Sequence, residues 1–279
     1  MQGKSVLLGL GLWAALAAPV LAAEDSAINL ASSFREASSE MRQARRNIHP
    51  PRAVLAGYFS YDDNREPIED SSESPYSLVG RLSGSEGTCT AFIVSRRAAL
   101  TAAHCVDKKG GYTFRYESRG RKKKVRVFRI VFLPGYQKPV GNGAIDSRTD
   151  MAVLLFKEPL FLSGEGLTIA DKFSVGQAAV ALGFPGGDEE ISPHCSIRNI
   201  KNGAILSDCV TSPGESGGPL LIRNNNQWEV AGIISSQLNP NDTRSGMGYS
   251  DETANRFCDL TARKSWVLEI IRDWESRLN

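Results

Sequence analysis

Metal-binding side chains are scarce in this sequence. It contains three histidines and five cysteines, and no two of the cysteines form a C-x-x-C pair. Zinc sites usually combine four closely spaced Cys or His ligands. We therefore expect that neither a metal nor another cofactor takes part in the chemistry of this chain.

The chain also lacks a strong net charge and an internal repeat. Its formal charge of +2 is too small to indicate nucleic acid or an anionic membrane surface as a partner. Hydrophobic residues make up 41% and charged residues 23%, which excludes wholesale disorder and a collagen-like composition. A length of 279 residues allows about two ordinary domains or one large all-β unit with appendages.

Residues 1–23 have the pattern of a secretory signal peptide. Lys4 is their only charged residue, an apolar run covers 5–18, and small residues close the segment. Cleavage after Ala22 or after Ala23 satisfies the pattern. The alternative is an uncleaved membrane anchor, for which the apolar run is short. We expect a secreted protein, extracellular or periplasmic, without membrane contact after signal cleavage.

Residues 24–52 contain few large apolar side chains and end in the helix-breaking pair Pro50-Pro51. This composition predicts a weakly helical pro-segment. If Glu215 pairs with a new N-terminus, activation would follow cleavage near Arg46 or Arg52. The alternative is a disordered extension that is never removed. We assign 53–279 to the folded domain.

From residue 53 onward, short runs rich in Val, Ile and Phe alternate with clusters of Gly, Pro, Asn and Ser. Such runs are typical of the strands of an all-β barrel or sandwich. We predict strands at 78–82, 90–94, 125–132, 151–156, 178–182, 220–222 and 230–234. Over the basic segment 119–129, apolar residues alternate with charges, which favours a strand with one solvated face over an anion-binding surface.

The segment 265–278 has a different period. Trp266, Ile270 and Trp274 recur at four-residue intervals, with Val267 and Ile271 beside them. This period predicts one C-terminal amphipathic α-helix that packs against the body of the domain.

Hydrolysis of a peptide bond without a metal needs a nucleophile, a base, a group that orients the base and donors for the oxyanion. His104 lies among small residues at the end of an apolar strand, where a single histidine is more often structural. It is the candidate base because of the whole string Thr101-Ala102-Ala103-His104-Cys105, whose resemblance to a known family is given below. Asp150 is the candidate orienting group, since a carboxylate at the head of the apolar run 151–156 will be buried and needs a partner. Asp146 and Asp171 are the alternatives for this role.

Ser216 is the candidate nucleophile, in the loop Pro213-Gly214-Glu215-Ser216-Gly217-Gly218-Pro219. The glycines allow a strained turn that exposes the hydroxyl, and the amides of Gly214 and Ser216 can point at one spot as an oxyanion hole. The loop also fits the G-x-S-x-G elbow of α/β-hydrolases, but that fold places a helix after the serine and has the chain order Ser, acid, His. Here a strand is predicted after the serine, and the order is His104, Asp150, Ser216.

The strings Thr101-Ala102-Ala103-His104-Cys105 and Gly214-Glu215-Ser216-Gly217-Gly218, in this order, resemble those of chymotrypsin-fold, or trypsin-like, serine peptidases. Within that group the chain looks most like the bacterial glutamyl-endopeptidase, or V8-like, branch. The resemblance implies two six-stranded antiparallel β-barrels, roughly 53–160 and 161–262, with the triad between them. It implies a serine endopeptidase that acts on protein or peptide substrates through an acyl-enzyme. We expect the protein to be a monomer.

The same resemblance implies two disulfides, Cys89–Cys105 beside the histidine and Cys195–Cys209 in the second barrel. Each closes a loop of about 15 residues, to which the chain-entropy model assigns about 3 kcal/mol. Cys258 is left over, either as a buried free thiol or as an intermolecular link.

The expected substrate-binding residues depart from two familiar patterns of the family. Val210 stands where enzymes that prefer Arg and Lys have an acid, and Ile234 stands where the glutamyl branch has a histidine. Together with Thr211 and Ser235 they predict a mostly neutral pocket for small or apolar side chains. The residues that we expect to pair with the substrate as an antiparallel strand are Ser235, Ser236 and Gln237.

Glu215 leaves two interpretations open. Trypsin-like enzymes have Asp at this position, which pairs with the new N-terminal amine after zymogen cleavage. Glu215 either does the same with one more methylene or is a solvated loop residue.

Two other functions are compatible with the resemblance. A non-catalytic, chaperone-like binding protein on the same fold is disfavoured because no triad residue is missing. An esterase would use the same residues and differ only in its substrate.

Overall fold

A computed structural model describes residues 65–68, 73–118, 120–140, 144–160, 166–186, 190–237, 249–252 and 254–278, without the side chains at 190, 192–194 and 237. All of these residues belong to one unit, Ala56–Asn279. The predicted signal peptide at 1–23 and pro-segment at 24–52 lie outside the described residues. In the described ranges, no helix has the length and apolar character needed to cross a membrane.

The described residues contain fifteen strands and one α-helix. The first eight strands are β1 (Glu66–Pro67), β2 (Val79–Gly84), β3 (Gly87–Ser95), β4 (Ala98–Thr101), β5 (Thr113–Ser118), β6 (Arg121–Arg126), β7 (Arg129–Phe132) and β8 (Ala152–Leu155). The others are β9 (Thr168–Ile169), β10 (Ala178–Gly183), β11 (Glu190–Lys201), β12 (Ala204–Ser207), β13 (Pro219–Asn224), β14 (Gln227–Gln237) and β15 (Asn255–Asp259). Short 3-10 helices lie at Tyr76–Leu78, Ala103–Cys105 and Thr261–Arg263, and helix α1 is Lys264–Ser276.

Strands β2 to β8 form an antiparallel sheet in the order β6-β5-β2-β3-β4-β8-β7. Only Val127 and Phe128 separate β6 from β7, so these are two halves of one bent strand. Val127 N–H donates to Tyr112 O at 3.0 Å beside β5, and Phe128 N–H donates to Leu155 O at 2.9 Å in β8. The bent strand therefore pairs with both ends of the sheet and closes it into a six-stranded barrel.

The second sheet closes through the ring β11-β10-β13-β14-β15-β12, because β11 also pairs with β12. Two of its hairpins have turn residues with positive φ, Asn202-Gly203 at 54° and 81° and Asn225-Asn226 at 47° and 64°. Asn and Gly tolerate this conformation, and the twist of such turns matches that of the flanking strands. Two six-stranded antiparallel barrels followed by a helix confirm the predicted fold class.

One short strand departs from the predicted division at residue 160. β1 pairs with β11, Glu66 opposite Ile191 and Pro67 opposite Glu190, so it belongs to the second barrel although it precedes the first in the chain. A two-residue edge strand that contains proline has no periodicity from which its partner could be predicted. Its position brings Arg65 to the second barrel.

Two neighbouring strands of the first barrel, β4 and β8, lie in its buried interior. β4 and β8 are buried along their whole length, and their neighbours fill the interior with aromatic rings. The fully buried aromatic residues of this first barrel are Phe92, Tyr112, Phe114 and Phe156. His104 follows β4 and Asp150 precedes β8, so both are attached to strands that are buried along their whole length.

Helix α1 packs on the first barrel although it follows the last strand of the second. Its buried residues are Val267, Ile271 and Trp274. Trp266 and Ile270, which the sequence pattern placed on the same stripe, are half-buried. Trp274 Nε1 donates to Phe156 O at 3.0 Å, and its ring stacks on Phe128 with 5.5 Å between centroids.

Replacing Trp274 by alanine should lower the free energy of unfolding by about 3–5 kcal/mol, because it leaves a cavity and an unpaired Phe156 carbonyl. The matched control is Leu268→Ala in the same helix, where the side chain is 43% exposed. The free energy of unfolding of this control variant should fall by no more than about 0.5 kcal/mol. Urea unfolding followed by far-UV circular dichroism measures both variants, and equal losses would contradict the docking described here.

Candidate active site

The register of β4 and β8 brings His104 and Asp150 together. Thr101, the last residue of β4, pairs with Ala152, the first residue of β8. His104 follows Thr101 in the short helix Ala103–Cys105, and Asp150 precedes Ala152 in the sequence. Both side chains therefore lie at the same end of the first barrel.

The Asp150 carboxylate binds His104 at two points. His104 Nδ1 lies 2.7 Å from Oδ2, and the His104 main-chain N–H donates to Oδ1 at 2.9 Å. The Asp150 side chain is completely buried, whereas the His104 side chain is 21% exposed. A buried carboxylate needs such donors. The contact fixes the orientation of the imidazole and leaves Nε2 at the other edge of the ring.

The two alternative acids have other partners. Asp146 accepts a hydrogen bond from Arg148 Nε at 2.7 Å, and this bond holds the pKa of Asp146 below its usual value. Asp171 accepts from Lys264 Nζ at 2.6 Å. We therefore keep Asp150 as the acid that orients His104.

The loop that carries Ser216 depends on two glycines with positive φ, Gly214 at 100° and Gly217 at 87°. A Cβ on Gly217 would lie 2.2 Å from both Thr90 O and Thr101 Oγ1. Because backbone and side-chain atoms of the first barrel occupy that space, only glycine lets the loop approach so closely. The Gly-rich pattern thus has a structural cause at this position.

Thr90 of β3 fixes this loop to the first barrel. Its N–H donates to Ser216 O at 2.9 Å, and its hydroxyl donates to Gly214 O at 2.9 Å. The same hydroxyl accepts the N–H of Phe184 at 3.0 Å. Thr90 is fully buried. No signal of this anchoring role is present in the sequence, because the role depends on contacts across the two barrels.

The disulfide Cys89–Cys105 lies between His104 and Ser216. Cys105 Sγ is 3.7 Å from His104 Nε2 and 3.6 Å from Ser216 O. The main chain of Ser216 is therefore next to the imidazole. Cys89, His104 and Cys105 place their ligand atoms within 4.8 Å of one another, but the disulfide leaves no thiolate with which to bind a metal.

The remaining cysteines behave differently from one another. Cys195 and Cys209 form the second disulfide that the resemblance implies. Cys258 is a free and fully buried thiol, and burial raises its pKa, with the negative charge of Asp150 as the next cause. A buried side chain cannot reach a second chain, so the interpretation as a free thiol holds and the intermolecular link does not.

Within the described ranges, the amides of Gly214 and Ser216 donate no hydrogen bond, whereas Glu215 N–H donates to Ser212 O at 3.1 Å. Unpaired amides on a fixed loop are what an oxyanion hole requires. Among described residues, the Ser216 hydroxyl also makes no hydrogen bond to His104. Such bonds often tighten only when the substrate binds.

The hydroxyl of Ser235 points at the acid, which the sequence did not predict. Its Oγ donates to Asp150 Oδ2 at 2.6 Å, and Ser235 is buried. Ser147 Oγ lies 3.1 Å from Ser235 Oγ and 3.0 Å from Ser236 Oγ. Ser235 thus gives Asp150 a third donor, from the second barrel. The available signal was a serine that ends the apolar run 230–234.

The other expected substrate-binding residues lie in two segments, 210–211 before the serine loop and the end of β14. Val210, Thr211 and Ile234 are buried and Ser236 is half-buried. β14 pairs with β13 only as far as Ile233, and beyond this point it continues to pair with β15 up to Gln237. Among the described residues, the opposite edge of 235–237 has no strand partner.

Tyr136 is a further residue whose pKa depends on the charge of Asp150. Its ring stacks on Phe132 with 5.6 Å between centroids, and its buried hydroxyl has no hydrogen-bond partner in the described part of the chain. Burial raises the pKa of Tyr136, and the negative charge of Asp150 adds to the shift.

Glu215 is buried, which excludes the interpretation as a solvated loop residue. Its Oε2 accepts the N–H of Ser212, and its Oε1 lies 3.6 Å from Arg65 Nη1. Arg65 Nη1 also donates to Ser212 Oγ. Arg65 was missed by sequence reasoning because it reaches this loop only through the pairing of β1 with β11.

Comparison with known proteins identifies the family. The model of the trypsin-like peptidase domain matches residues 89–233, just over half of the chain. The chain belongs to this family. It is 22% identical to the glutamyl endopeptidase of Bacillus licheniformis over 201 residues, which are 68% of this chain and 63% of that protein. The predicted resemblance to chymotrypsin-fold serine peptidases is confirmed.

Two further matches agree with the assignment. The Do-like serine protease HtrA of Bacillus subtilis is 27% identical over 120 residues, 38% of this chain and 26% of that protein. The chain therefore spans less than two thirds of the length of either relative. The solved structure of neuropsin, a serine protease of mouse brain, superposes with a TM-score of 0.55 at 18% identity. It covers 70% of this chain and 94% of neuropsin, and this likeness shows the fold.

Ser235→Ala should lower kcat about 10- to 100-fold, because a hydrogen bond to a buried charge is worth about 1.5–3 kcal/mol. The matched control is Ser207→Ala, which removes an equally buried hydroxyl that donates to Ser196 O at 2.8 Å, away from Asp150. Steady-state kinetics on a peptide amide measures both. A kcat that falls equally in the two variants would show that the contact with Asp150 has no special part in turnover.

Proposed function

We propose that the chain is a serine endopeptidase with Ser216, His104 and Asp150 as its catalytic triad. One observation carries this proposal: the completely buried Asp150 carboxylate binds His104 Nδ1 at 2.7 Å, beside the loop of Ser216. Membership in the trypsin-like peptidase family supports it, as does the chain order of the three residues.

In the proposed mechanism, Ser216 Oγ attacks the carbonyl carbon of a peptide bond while His104 Nε2 takes the hydroxyl proton. Asp150 holds the imidazole in the required tautomer and stabilises its charged form. The amides of Gly214 and Ser216 donate to the oxyanion of the tetrahedral intermediate. His104 then returns the proton to the leaving amine, and water hydrolyses the acyl-enzyme with the same groups.

The proposed substrates are proteins or peptides, bound as an antiparallel strand along the edge 235–237.

We further propose that the enzyme is secreted, extracellular or periplasmic, and that it is a monomer. Its two disulfides suit an oxidising compartment. The proposed domain division is 1–23 signal peptide, 24–52 pro-segment and 53–279 peptidase domain.

Ser216→Ala should lower kcat on the order of 10⁶-fold, as expected when the nucleophile of such a triad is lost. Labelling of the protein by a fluorophosphonate probe should disappear in the same variant. Hydrolysis of a peptide amide and of the matching ester, measured for the native enzyme, separates a peptidase from an esterase. A Ser216→Ala variant that retains native peptidase rates would refute the assignment, and a native protein without labelling or turnover would support the binding-protein alternative.

The side chain on the acyl side of the cleaved bond should be small or apolar, because Val210, Thr211 and Ile234 offer no charge to pair with a buried ion. Profiling with a peptide library should give kcat/KM values at least about tenfold higher for such residues than for Arg, Lys or Glu. The variant Val210→Asp should raise the relative rates for Arg and Lys. A native preference for any charged residue would overturn the neutral-pocket proposal without affecting the triad.

A further inference from the structure

Arg65 lies at the edge of the second barrel, next to the loop that carries Ser216. It directly precedes β1, and the pairing of β1 with β11 fixes the main chain at this point. The side chain of Arg65 is 7% exposed and that of Glu215 is 4% exposed. Two long charged side chains are buried this deeply only when they are paired.

Arg65 and Glu215 bind the same residue, Ser212, from two sides. Arg65 Nη1 lies 3.6 Å from Glu215 Oε1 and donates to Ser212 Oγ. Glu215 Oε2 accepts the N–H of Ser212. The ion pair therefore holds the beginning of the segment 212–216, which ends at Ser216.

The main chain of Glu215 ties the same loop together. Its N–H donates to Ser212 O at 3.1 Å, and its carbonyl accepts the N–H of Gly218 at 2.8 Å. The side chain has room because residue 183 is glycine, where a Cβ would lie 2.7 Å from Glu215 Cβ. Glu215 is thus the residue around which this loop turns, and the amides of Gly214 and Ser216 are its neighbours in the chain.

We propose that Arg65 is a positioning residue for the oxyanion hole. Its guanidinium neutralises the buried Glu215 carboxylate and so keeps the loop 212–216 in the conformation that presents the amides of Gly214 and Ser216. This inference rests on the proposed function, since it concerns how the same site is ordered.

The resemblance to trypsin-like enzymes assigns the positive charge at this place to the amine of a new N-terminus. Here the side chain of Arg65 supplies it. Arg65 follows both predicted processing sites, Arg46 and Arg52, so cleavage at either site leaves the pair with Glu215 intact. The loop is therefore ordered without a newly formed amine.

Arg65→Gln tests this role, with Arg65→Lys as the conservative variant that keeps the charge. The active sites of each preparation are first counted with a fluorophosphonate, so that kcat refers to folded enzyme. We expect kcat per site to fall about 10²-fold in Arg65→Gln, the loss typical of a missing oxyanion donor, with KM changed less than about threefold. Arg65→Lys should recover at least about tenfold of this loss, because the ammonium still neutralises Glu215.

The matched control is Arg198→Gln. Arg198 pairs with Asp208 at 3.5 Å and lies over the ring of Tyr249, but its side chain is 45% exposed and it pairs with neither Glu215 nor Ser212. Its kcat should equal that of the native enzyme. A loss in Arg198→Gln as large as in Arg65→Gln would overturn the proposal, because it would make the effect a general one of removing an arginine.

Chemical rescue of kcat separates a positioning role of the Arg65 charge from a merely structural role of its side chain. In Arg65→Ala, guanidinium at millimolar concentration should restore kcat, whereas urea, which has the same shape without the charge, should not. Equal recovery with both compounds, or with neither, overturns the proposal.

If the single variants fail to fold, the double variant Arg65→Met/Glu215→Gln replaces them, since removal of both members of a buried ion pair is tolerated far better than removal of one. A double variant that folds and has kcat within about tenfold of native would support neutralisation of Glu215 as the role of Arg65, because the charge that needs neutralising is gone. A double variant that also fails to fold would overturn the proposal. Ser216→Ala separates the two levels of inference. If it is inactive while Arg65→Gln retains native kcat, the triad stands and the role of Arg65 falls.

The amine is tested on the secreted enzyme by acetylation near pH 7, where the α-amine with a pKa of about 8 reacts before lysine with a pKa of about 10.4. We expect kcat per site to be unchanged after acetylation. A loss of activity in step with the capped amine would show that the N-terminus, and not Arg65, neutralises Glu215.

Discussion

The burial of the Asp150 carboxylate is the constraint on which the site depends. A charge removed from water must be compensated by nearby donors, or it destabilises the fold by several kcal/mol. Two of its donors come from His104 in the first barrel and the third from Ser235 in the second. The acid is therefore satisfied only when the two barrels are docked, and docking also brings the loop of Ser216 to the imidazole.

The residues of the proposed triad could be found from the sequence because each lies in a local pattern with a chemical cause. Asp150 heads an apolar strand, and Ser216 lies among glycines that the turn requires. Thr90, Ser235 and Arg65 were missed for a common reason: each acts across a contact between distant segments. Their neighbours in the chain carry no trace of that contact, and a buried hydroxyl or guanidinium has no period of its own.

The strands also divide into those that a local sequence pattern predicted and those that it did not. Runs of branched apolar residues, such as 151–156 and 230–234, correctly predicted β8 and the inner half of β14. β11 and β15 escaped prediction because polar residues interrupt them, and the Asn202-Gly203 turn after β11 was the overlooked signal of a hairpin. The predicted strand 125–132 is divided in two because it must bend to pair with both ends of the first sheet.

Two buried carboxylates hold different parts of the site: Asp150 contacts His104, and Glu215 contacts the loop of Ser216. Asp150 is compensated by neutral or titratable donors, so in the proposed mechanism its charge is available to the imidazole when His104 gains a proton. Glu215 faces a guanidinium, which stays protonated across the physiological range, and so its loop keeps one conformation while His104 changes charge. A loop fixed by a permanent ion pair can present its amides before the oxyanion forms, which is the condition under which such donors lower a barrier most.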